Sequence, residues 1–359
     1  MKNPVERLSD LLIQGDSQKA VLVFSERNRR YFTEFPATDG ALLVTADGAY
    51  LLMDFRYSEA AGYQAKNCKV VEFSSLNDSV KAILQEHHIT SVYLETEALS
   101  YAQAARFEKL FQESGAVAVL NSQLDDAIRH LRMIKSPWEV KKIEASQAIT
   151  DAAFQHILPQ LQVGVKERDL ALEIEMFMRK NGAESVAFDL IVVAGKNTSL
   201  CHGVPGDYAI QRGDFITMDT GAVLDGYYSD MTRTVALHHV SEEQRTIYDT
   251  VLKAHLTAMA AVKPGIPCNE IDKVARDIIE TPYPGTFGHG LGHGVGFEIH
   301  EWPRFSKLDT TVLEPGMVIT DEPGIYIPGK FGVRIEDMVV VTADACRTLT
   351  KSPKELIIL

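Results

Sequence analysis

The sequence predicts an α/β (α+β) protein of two domains, on three observations. Its 359 residues exceed the roughly 150 that one domain typically holds. Over the first third, short strand-like runs alternate with helical patterns, which is typical of a sheet with helices packed on it. At 136–139, Ser-Pro-Trp-Glu provides an N-cap, a proline at the first helical position and a capping-box glutamate, so a new helix begins there. We therefore predict domains at 1–133 and 134–359.

The expected elements of the first domain follow its apolar runs. Ala-Asp-Gly at 46–48 separates two of these runs and favours a β-hairpin. In order, we expect a helix at 5–12, strands at 20–24, 41–45, 49–53, 70–73, 91–95 and 116–120, and helices near 75–87, 100–113 and 122–132.

The second domain is expected to begin with helices, continue through strands, return to helices and end in strand and loop. Ser241 and Gln244 form a second capping box before the later helices. The helices are expected at 137–158, 166–181, 241–262 and 269–280, with strands between 188 and 237 and again after 280.

The composition excludes several classes of protein. Lysine and arginine number 36 and aspartate and glutamate 49, so the formal charge is −13, and such a chain lacks the basic footprint that nucleic acids and anionic membranes need. No apolar run approaches the roughly 20 residues of a membrane span, and charges interrupt the N-terminal apolar stretch, unlike a signal peptide. The cysteines at 68, 201, 268 and 346 form no Cys-x-x-Cys pair. We expect a soluble cytoplasmic protein with no nucleic-acid or membrane partner.

Two aspartates lie in a predicted acidic hairpin at 215–237. Two β-prone runs flank Asp225-Gly226, a favoured hairpin turn. Asp219 and Asp230 lie about equally far from the middle of the hairpin, which places them roughly opposite one another. Like charges at opposite positions are unfavourable unless something neutralises them. A bound cation and a surface pair that faces water are the two interpretations.

A second acidic hairpin at 317–341 repeats this design. Glu322 and Glu336 are symmetric about the Pro-Gly-Lys turn between them. Both hairpins are apolar enough to be buried, where an uncompensated carboxylate costs several kcal/mol, so two such pairs indicate one or two bound cations. Strand alternation sends Asp321 and Asp337 to the opposite face, where we expect them to support the ligands or face solvent.

Between the hairpins, the glycine-rich segment 287–303 holds His289, His293 and His300, three of the eleven histidines. The first two have the i, i+4 spacing of a zinc-protease helix, but the glutamate of H-E-x-x-H is missing and the glycines oppose a helix. A flexible strand or loop that brings imidazoles to the hairpins is the better interpretation. Four carboxylates and one imidazole form an oxygen-rich ligand set that suits Mn²⁺, Co²⁺, Fe²⁺ or Zn²⁺.

These motifs resemble the metal-dependent pita-bread peptidases, in particular the proline-selective branch of prolidase (Xaa-Pro dipeptidase) and aminopeptidase P. The resemblance covers nearly the whole chain and is carried by MDTGAVLDGYYSDMTRT, GHGLGHGVGFEIHE, EPGMVITDEPGIYIPG and GVRIEDMV. It implies a creatinase-like N-terminal α/β domain followed by a pita-bread catalytic domain with internal pseudo-two-fold symmetry. It also implies two divalent metal ions, with Mn²⁺ expected and Co²⁺, Zn²⁺ or Fe²⁺ as alternatives.

The resemblance also assigns roles to individual residues. All five ligand positions of the family are filled, by Asp219, Asp230, His293, Glu322 and Glu336. Asp230 and Glu336 would bridge the two metals, Asp219 would complete one metal site, and His293 with Glu322 would complete the other. A hydroxide activated by both metals would attack the carbonyl that precedes proline, with Glu322 as the catalytic proton shuttle.

Three further residues match supporting positions of the family. His202 and His300 match catalytic histidines that bind substrate and stabilise the oxyanion, and Arg334 would hold a ligand carboxylate in place instead of lying on the surface. Two residues depart from the family pattern. Many relatives have proline where this chain has Cys201, for which we expect an inert thiol, oxidation sensitivity being the alternative. Asp321 replaces a residue that is often apolar, and it would tune metal affinity or face solvent.

The implied function is hydrolysis of the Xaa-Pro bond at the N-terminus of dipeptides or short peptides by a homodimer. We favour Xaa-Pro dipeptidase, with Xaa-Pro aminopeptidase (aminopeptidase P) as the alternative. Metal-independent creatinase-like hydrolases and non-catalytic binding modules lack the ligand set, and methionine aminopeptidase generally lacks a domain like 1–132. We expect Phe287, Phe297 and Tyr326 to pack in the core and not to wall the proline pocket.

Overall fold

A computed structural model describes residues 2–359 of the chain, which divides into two compact units, Met1–Arg132 and Met133–Leu359. Its helices are α1 (Pro4–Leu12), α2 (Glu26–Thr33), α3 (Ser58–Gln64), α4 (Leu76–Glu86), α5 (Tyr101–Glu113), α6 (Gln123–Met133), α7 (Pro137–Ile157), α8 (Glu167–Lys180), α9 (Glu242–Ala261) and α10 (Cys268–Glu280). Within residues 2–359, no helix combines the length and the apolar character needed to cross a membrane.

The strands formed by residues 2–359 are short, and 13 of these 19 belong to the second unit. They are β1 (Lys19–Val23), β2 (Ala41–Thr45), β3 (Gly48–Met53), β4 (Lys69–Glu72), β5 (Ser91–Leu94), β6 (Val117–Val119), β7 (Ser185–Val186), β8 (Ile191–Ala194), β9 (Phe215–Thr220), β10 (Ala222–Leu224), β11 (Tyr227–Tyr228), β12 (Met231–Ala236), β13 (Gly292–Gly294), β14 (Glu301–Phe305), β15 (Val318–Asp321), β16 (Gly324–Ile327), β17 (Phe331–Arg334), β18 (Asp337–Val341) and β19 (Cys346–Thr348).

The first unit is a six-stranded sheet with helices packed on it, in the order β4-β3-β2-β1-β5-β6. β2 and β3 form the antiparallel hairpin predicted from Ala-Asp-Gly, whereas β1 pairs in parallel with β5. Leu22 and Leu43 of the sheet and Val80 and Phe111 of the helices belong to one fully buried apolar cluster. The α/β prediction is confirmed for this unit, although α2 and α3 were not predicted.

The second unit contains twice a pair of helices followed by a group of strands. α7 and α8 pack on the sheet β12-β9-β8 through an apolar cluster that includes Phe154 and Val192. α9 and α10 pack on the sheet β14-β13-β15-β18-β19 through a second cluster that includes Val251 and Ile319. Each helix pair therefore covers one sheet, and each sheet carries one of the acidic hairpins.

The first acidic hairpin is bent, and its register differs from the sequence expectation. β9 pairs antiparallel with β12 and places Asp219 across from Thr232, while the tip strands β10 and β11 form a separate sheet with β7. The chain bends at Gly221, where a Cβ atom would lie 2.1 Å from a carbonyl oxygen across the hairpin. Asp230 therefore precedes the position opposite Asp219 by two residues.

The second acidic hairpin keeps one register throughout. β15 and β18 pair Asp321 with Asp337, and β16 and β17 pair Gly324 with Arg334. Glu322 and Glu336 lie between these two ladders, at positions that the shared register places opposite one another.

Candidate metal centre and active site

The two hairpins, the glycine-rich segment and the segment that carries His202 bring all the predicted site residues to one cavity of about 740 Å³. The predicted residues that line it are Asp219, Asp230, His293, Glu322, Glu336, His202, His300 and Arg334. Ligand atoms of Asp230, His293 and Glu336 lie within 4.8 Å of one another. The Nε2 atom of His293 lies 3.5 Å from Oδ2 of Asp230 and 3.4 Å from Oε1 of Glu322.

The carboxylates of this cluster have fewer hydrogen-bond donors than their burial requires. Among the described residues, Oδ1 of Asp219, Oδ1 of Asp230 and Oε1 of Glu336 are buried without a partner. Burial raises the pKa of Asp230 and of Glu336 well above the ordinary range, and neighbouring carboxylates add to the effect. Burial also raises the pKa of Glu322 to about 7, although His293 opposes the rise. A divalent cation would satisfy these oxygens, so the residues fit the implied metals.

The position and tautomer of His293 suit a metal ligand. Its Nδ1 lies 3.1 Å from the carbonyl oxygen of Gly294, which can only accept, so Nδ1 carries the proton and Nε2 is free to bind. Its backbone N–H donates to Oγ1 of Thr320 at 3.0 Å. A Cβ atom at Gly292 or Gly294 would lie 2.2 Å from the carbonyl oxygen of Thr320 or Trp302, respectively. Glycine on both sides therefore lets β13 approach its neighbours closely enough to deliver the imidazole.

Arg334 is buried and orients two of the carboxylates, so the interpretation as a surface cation is wrong. Its Nη2 donates to Oδ2 of Asp219 at 2.6 Å, and its Nε donates to Oγ1 of Thr232 at 3.0 Å. The hydroxyl of Thr232 donates in turn to Oε2 of Glu336 at 2.7 Å. Nη1 donates to the hydroxyl of Tyr326 at 2.8 Å.

Tyr326 and His289 extend this network, a role that was not predicted for either residue. His289 donates from Nδ1 to the carbonyl of Gly290 at 2.8 Å, so its Nε2 accepts from the Tyr326 hydroxyl at 3.0 Å. Burial, with the Arg334 charge, lowers the pKa of His289 to about 4 and keeps it neutral. Tyr326 follows Glu322 by an even number of residues in extended chain, and such residues lie on the same face. This spacing is the feature of the sequence that could have identified Tyr326.

Basic residues line the part of the cavity that surrounds the expected metal ligands. The rings of His300 and His293 have centroids 4.4 Å apart, and burial together with His293 lowers the pKa of His300 to about 4. His202 lines the same cavity. Arg304 was not predicted; it is exposed on β14, lines the cavity, and has no side-chain acceptor within hydrogen-bond distance among residues 2–359. Arg304 follows His300 by an even number of residues, and this spacing is the feature of the sequence that could have identified Arg304.

Cys201 lines the cavity and is half-buried as a free thiol. Its Sγ lies 3.8 Å from Nη1 of Arg334, and its carbonyl oxygen accepts from the same nitrogen at 3.3 Å. The thiol is therefore next to the arginine that holds Asp219.

A buried charged layer lies behind Glu322 and Glu336, the expected ligands of the second hairpin. Asp321 and Asp337 are fully buried, so the solvent-facing interpretation is wrong for both. His255 places Nε2 3.1 Å from Oδ2 of Asp337 and Nδ1 3.6 Å from Oδ2 of Asp321. Burial lowers the pKa of His255, but the two aspartates outweigh it and raise the value to about 9. Arg233 and Lys354 also pair with Asp337.

Comparisons with known proteins cover both units. The family model described as metallopeptidase family M24 matches residues 141–343, and the model described as creatinase/prolidase N-terminal domain matches residues 5–134. The chain is 39% identical to the Xaa-Pro dipeptidase of Pyrococcus horikoshii over 360 residues, which cover 99% of each chain. Its structure is similar to that of an Xaa-Pro dipeptidase from Bacillus anthracis, with a TM-score of 0.92 and 41% identity over 99% of both chains. It is also similar to an X-Pro aminopeptidase from Thermotoga maritima, with a TM-score of 0.92 and 33% identity over 99% of this chain and 100% of the other.

Proposed function

The chain belongs to metallopeptidase family M24 and is a metallo-exopeptidase, and we propose that it is an Xaa-Pro dipeptidase. It would use two divalent cations, with Mn²⁺ as the expected metal. The observation that carries the proposal is the convergence of four carboxylates and His293 in a cavity that also presents neutral His300 and a free cationic side chain, Arg304. Homodimer formation and a cytoplasmic location stay predictions that rest on the resemblance.

The five candidate ligand residues would hold two cations between them, as the resemblance implies. Asp230 and Glu336 would serve both cations, Asp219 would complete one site, and His293 with Glu322 would complete the other. The short distances from His293 to Asp230 and Glu322 support this division. When bound, the cations would polarise the scissile carbonyl and lower the pKa of a water between them.

Glu322 is the residue best placed to move the proton. One of its oxygens accepts a hydrogen bond from Oγ1 of Thr320 at 3.2 Å, which fixes the carboxylate while it faces the cavity. Glu322 would accept the proton of the attacking water and deliver it to the proline nitrogen as the peptide bond breaks. This makes the leaving group a neutral secondary amine.

His300 and His202 would stabilise and position the substrate. A histidine that stays neutral keeps one N–H, and His300 can donate it to the oxyanion that develops on the scissile carbonyl. His202 would bind the substrate from the same cavity wall.

Arg304 favours the dipeptidase over aminopeptidase P. A dipeptide ends in a free carboxylate directly after proline, and an arginine without another acceptor can bind this group with two parallel hydrogen bonds. A longer peptide carries an amide at that position and would leave the guanidinium without an anionic partner.

The test uses protein stripped of metal with a chelator, to which Mn²⁺, Co²⁺ or Zn²⁺ is restored separately. Release of alanine from Ala-Pro and Ala-Pro-Ala is followed, with Ala-Ala-Ala and a peptide that begins with Met as controls. We expect metal-dependent cleavage of Ala-Pro alone. Cleavage of Ala-Pro-Ala would identify aminopeptidase P instead, and no cleavage with any metal would refute the proposal.

A further inference from the structure

We propose that Glu167 is a positioning residue that holds both ends of the loop carrying His202. We call residues 195–206 the His202 loop. The inference rests on the proposed function, because the catalytic role of His202 is part of that function.

One buried carboxylate closes the His202 loop. Glu167 is the first residue of α8 and is 1% exposed. Its Oε1 accepts the backbone N–H of Ala194 at 2.7 Å and Nδ2 of Asn197 at 2.9 Å. Its Oε2 accepts the backbone N–H of Gly206 at 3.0 Å. The two oxygens thus hold the beginning and the end of the loop at one point.

The residues next to Glu167 also contact the end of the His202 loop. Lys166 and Arg168 both pair with Asp207, at 2.8 and 3.0 Å. The backbone N–H groups of Glu167 and Arg168 donate to the carbonyls of Tyr208 and Gly206, each at 3.1 Å. The first turn of α8 and the end of the loop therefore move together.

The middle of the His202 loop faces the site. His202 lines the cavity, as does the neighbouring Val204, which is 85% exposed. On the other side, Oγ1 of Thr198 accepts the backbone N–H of Gly332 at 2.9 Å, and the Cys201 carbonyl accepts from Arg334. The loop thus lies between the carboxylate at its base and the arginine that holds Asp219, so a shift at the base changes the position of the imidazole.

The charge of Glu167 is better explained by this role than by stability alone. A buried carboxylate is costly unless it is fully paired. In the part of the chain that the structure describes, no lysine or arginine nitrogen lies within ion-pair distance of Glu167, and the N–H groups of the loop provide its stabilisation. An ionised acceptor makes the strongest hydrogen bonds to such donors. Glu167 does not line the cavity, so it would act only through the loop.

The first experiment compares Glu167→Gln with Glu173→Gln, the same substitution on the same helix at a residue that pairs with His156 and not with the His202 loop. The glutamine amide has one oxygen, so its NH₂ group must face an N–H of the loop and one end is released. We expect Glu167→Gln to lower kcat/KM for Ala-Pro about tenfold, whereas in a His202→Ala background it should change kcat/KM less than about twofold, because both changes act on the same group. Glu173→Gln should have no effect in either background.

Two measurements that do not depend on activity complete the test. Calorimetric titration of Mn²⁺ into metal-free protein should give the same affinity for Glu167→Gln and wild type, because the ligands are untouched. Chymotrypsin should cut after Leu200, which is exposed on the loop, several times faster in Glu167→Gln than in wild type or Glu173→Gln.

Three results would overturn the proposal. They are equal rates of proteolysis of the loop in wild type and Glu167→Gln, a weaker Mn²⁺ affinity of Glu167→Gln, or a tenfold loss of kcat/KM from Glu167→Gln that persists in the His202→Ala background. If wild-type protein cleaves no Xaa-Pro peptide, the proposed function fails. The proteolysis rates then still decide whether Glu167 holds the loop.

Discussion

Asp219 and Arg334 form a buried ion pair, 2.6 Å between Oδ2 and Nη2, that joins the two acidic hairpins. Asp219 lies on β9 of the first hairpin and Arg334 on β17 of the second. A carboxylate of one half of the second unit is thus oriented by a cation of the other half, and neither hairpin alone contains a complete site.

The Arg334→Lys variant should bind Mn²⁺ about 10- to 100-fold more weakly than wild type, as is typical when a group that orients a ligand is lost. Lysine keeps the charge, but one ammonium group cannot reach Asp219, Thr232 and Tyr326 in the arginine geometry. Calorimetric titration of metal-free protein measures the affinity. Arg347→Lys is the control, because Arg347 pairs with Glu144 at the surface. Equal affinities for wild type and Arg334→Lys would contradict this role.

Metal removal should destabilise the protein through the crowded carboxylates. At a free Mn²⁺ concentration of 100 times Kd, binding should raise the free energy of unfolding by about 2.7 kcal/mol. Urea unfolding with and without Mn²⁺ measures the difference. In the Glu336→Gln variant most of this gain in the free energy of unfolding should be lost, since an amide NH₂ group replaces one carboxylate oxygen. If Mn²⁺ leaves the wild-type curve unchanged, the site does not bind this ion.

The buried charged layer predicts a dependence of stability on pH. The pKa of His255 is about 9 in the folded protein and 6.5 in the reference state, so its contribution is fully present below about pH 6.5 and is lost as pH rises through 9. The contribution amounts to roughly 3 kcal/mol. Urea unfolding of metal-free wild type and His255→Gln at pH 6 to 9.5 tests this. The wild-type advantage should shrink with rising pH; a constant difference would disprove the assignment.

The Arg304→Met variant should bind a substrate with a free C-terminal carboxylate more weakly, but not a substrate that ends in an amide. We expect KM for Ala-Pro to rise about 10- to 100-fold, the value of a hydrogen bond to a charged group. KM for Ala-Pro amide, which has no carboxylate, should stay within about twofold under the same reasoning. Lys307→Met provides the control, since Lys307 is exposed near Arg304 but does not line the cavity. A similar loss for both substrates would assign Arg304 another role.

The two hairpins show how far the sequence could predict the site. The partners Glu322 and Glu336 were identified because one register runs through both ladders of their hairpin. The offset between Asp219 and Asp230 was missed because the first hairpin bends where its tip joins β7, a strand far away in the chain. Local spacing in the sequence predicts a turn, but it does not predict which sheet the tip of the hairpin will join.

The missed features depend on contacts that the local sequence pattern does not show. α2 was not predicted because its sequence, ERNRRYFT, is half charged and has only two apolar residues. Yet Arg29 is buried there and donates to the carbonyl of Ala37 at 2.7 Å. For Asp321 a solvent-facing position stayed open as an alternative for the same reason, since its partner His255 lies on α9. A buried charge can be recognised only when its partner is known.

The close approach of Gly292 and Gly294 to neighbouring carbonyl oxygens has a consequence for the mutational tolerance of the chain. In a random library screened for activity, these two positions should reject every replacement, alanine included, although neither carries a functional group. The substitutions that abolish activity would therefore extend over a longer segment than the residues that take part in catalysis. The intolerance would reflect the lack of space around β13, and His293 would be flanked by two sites as restricted as itself.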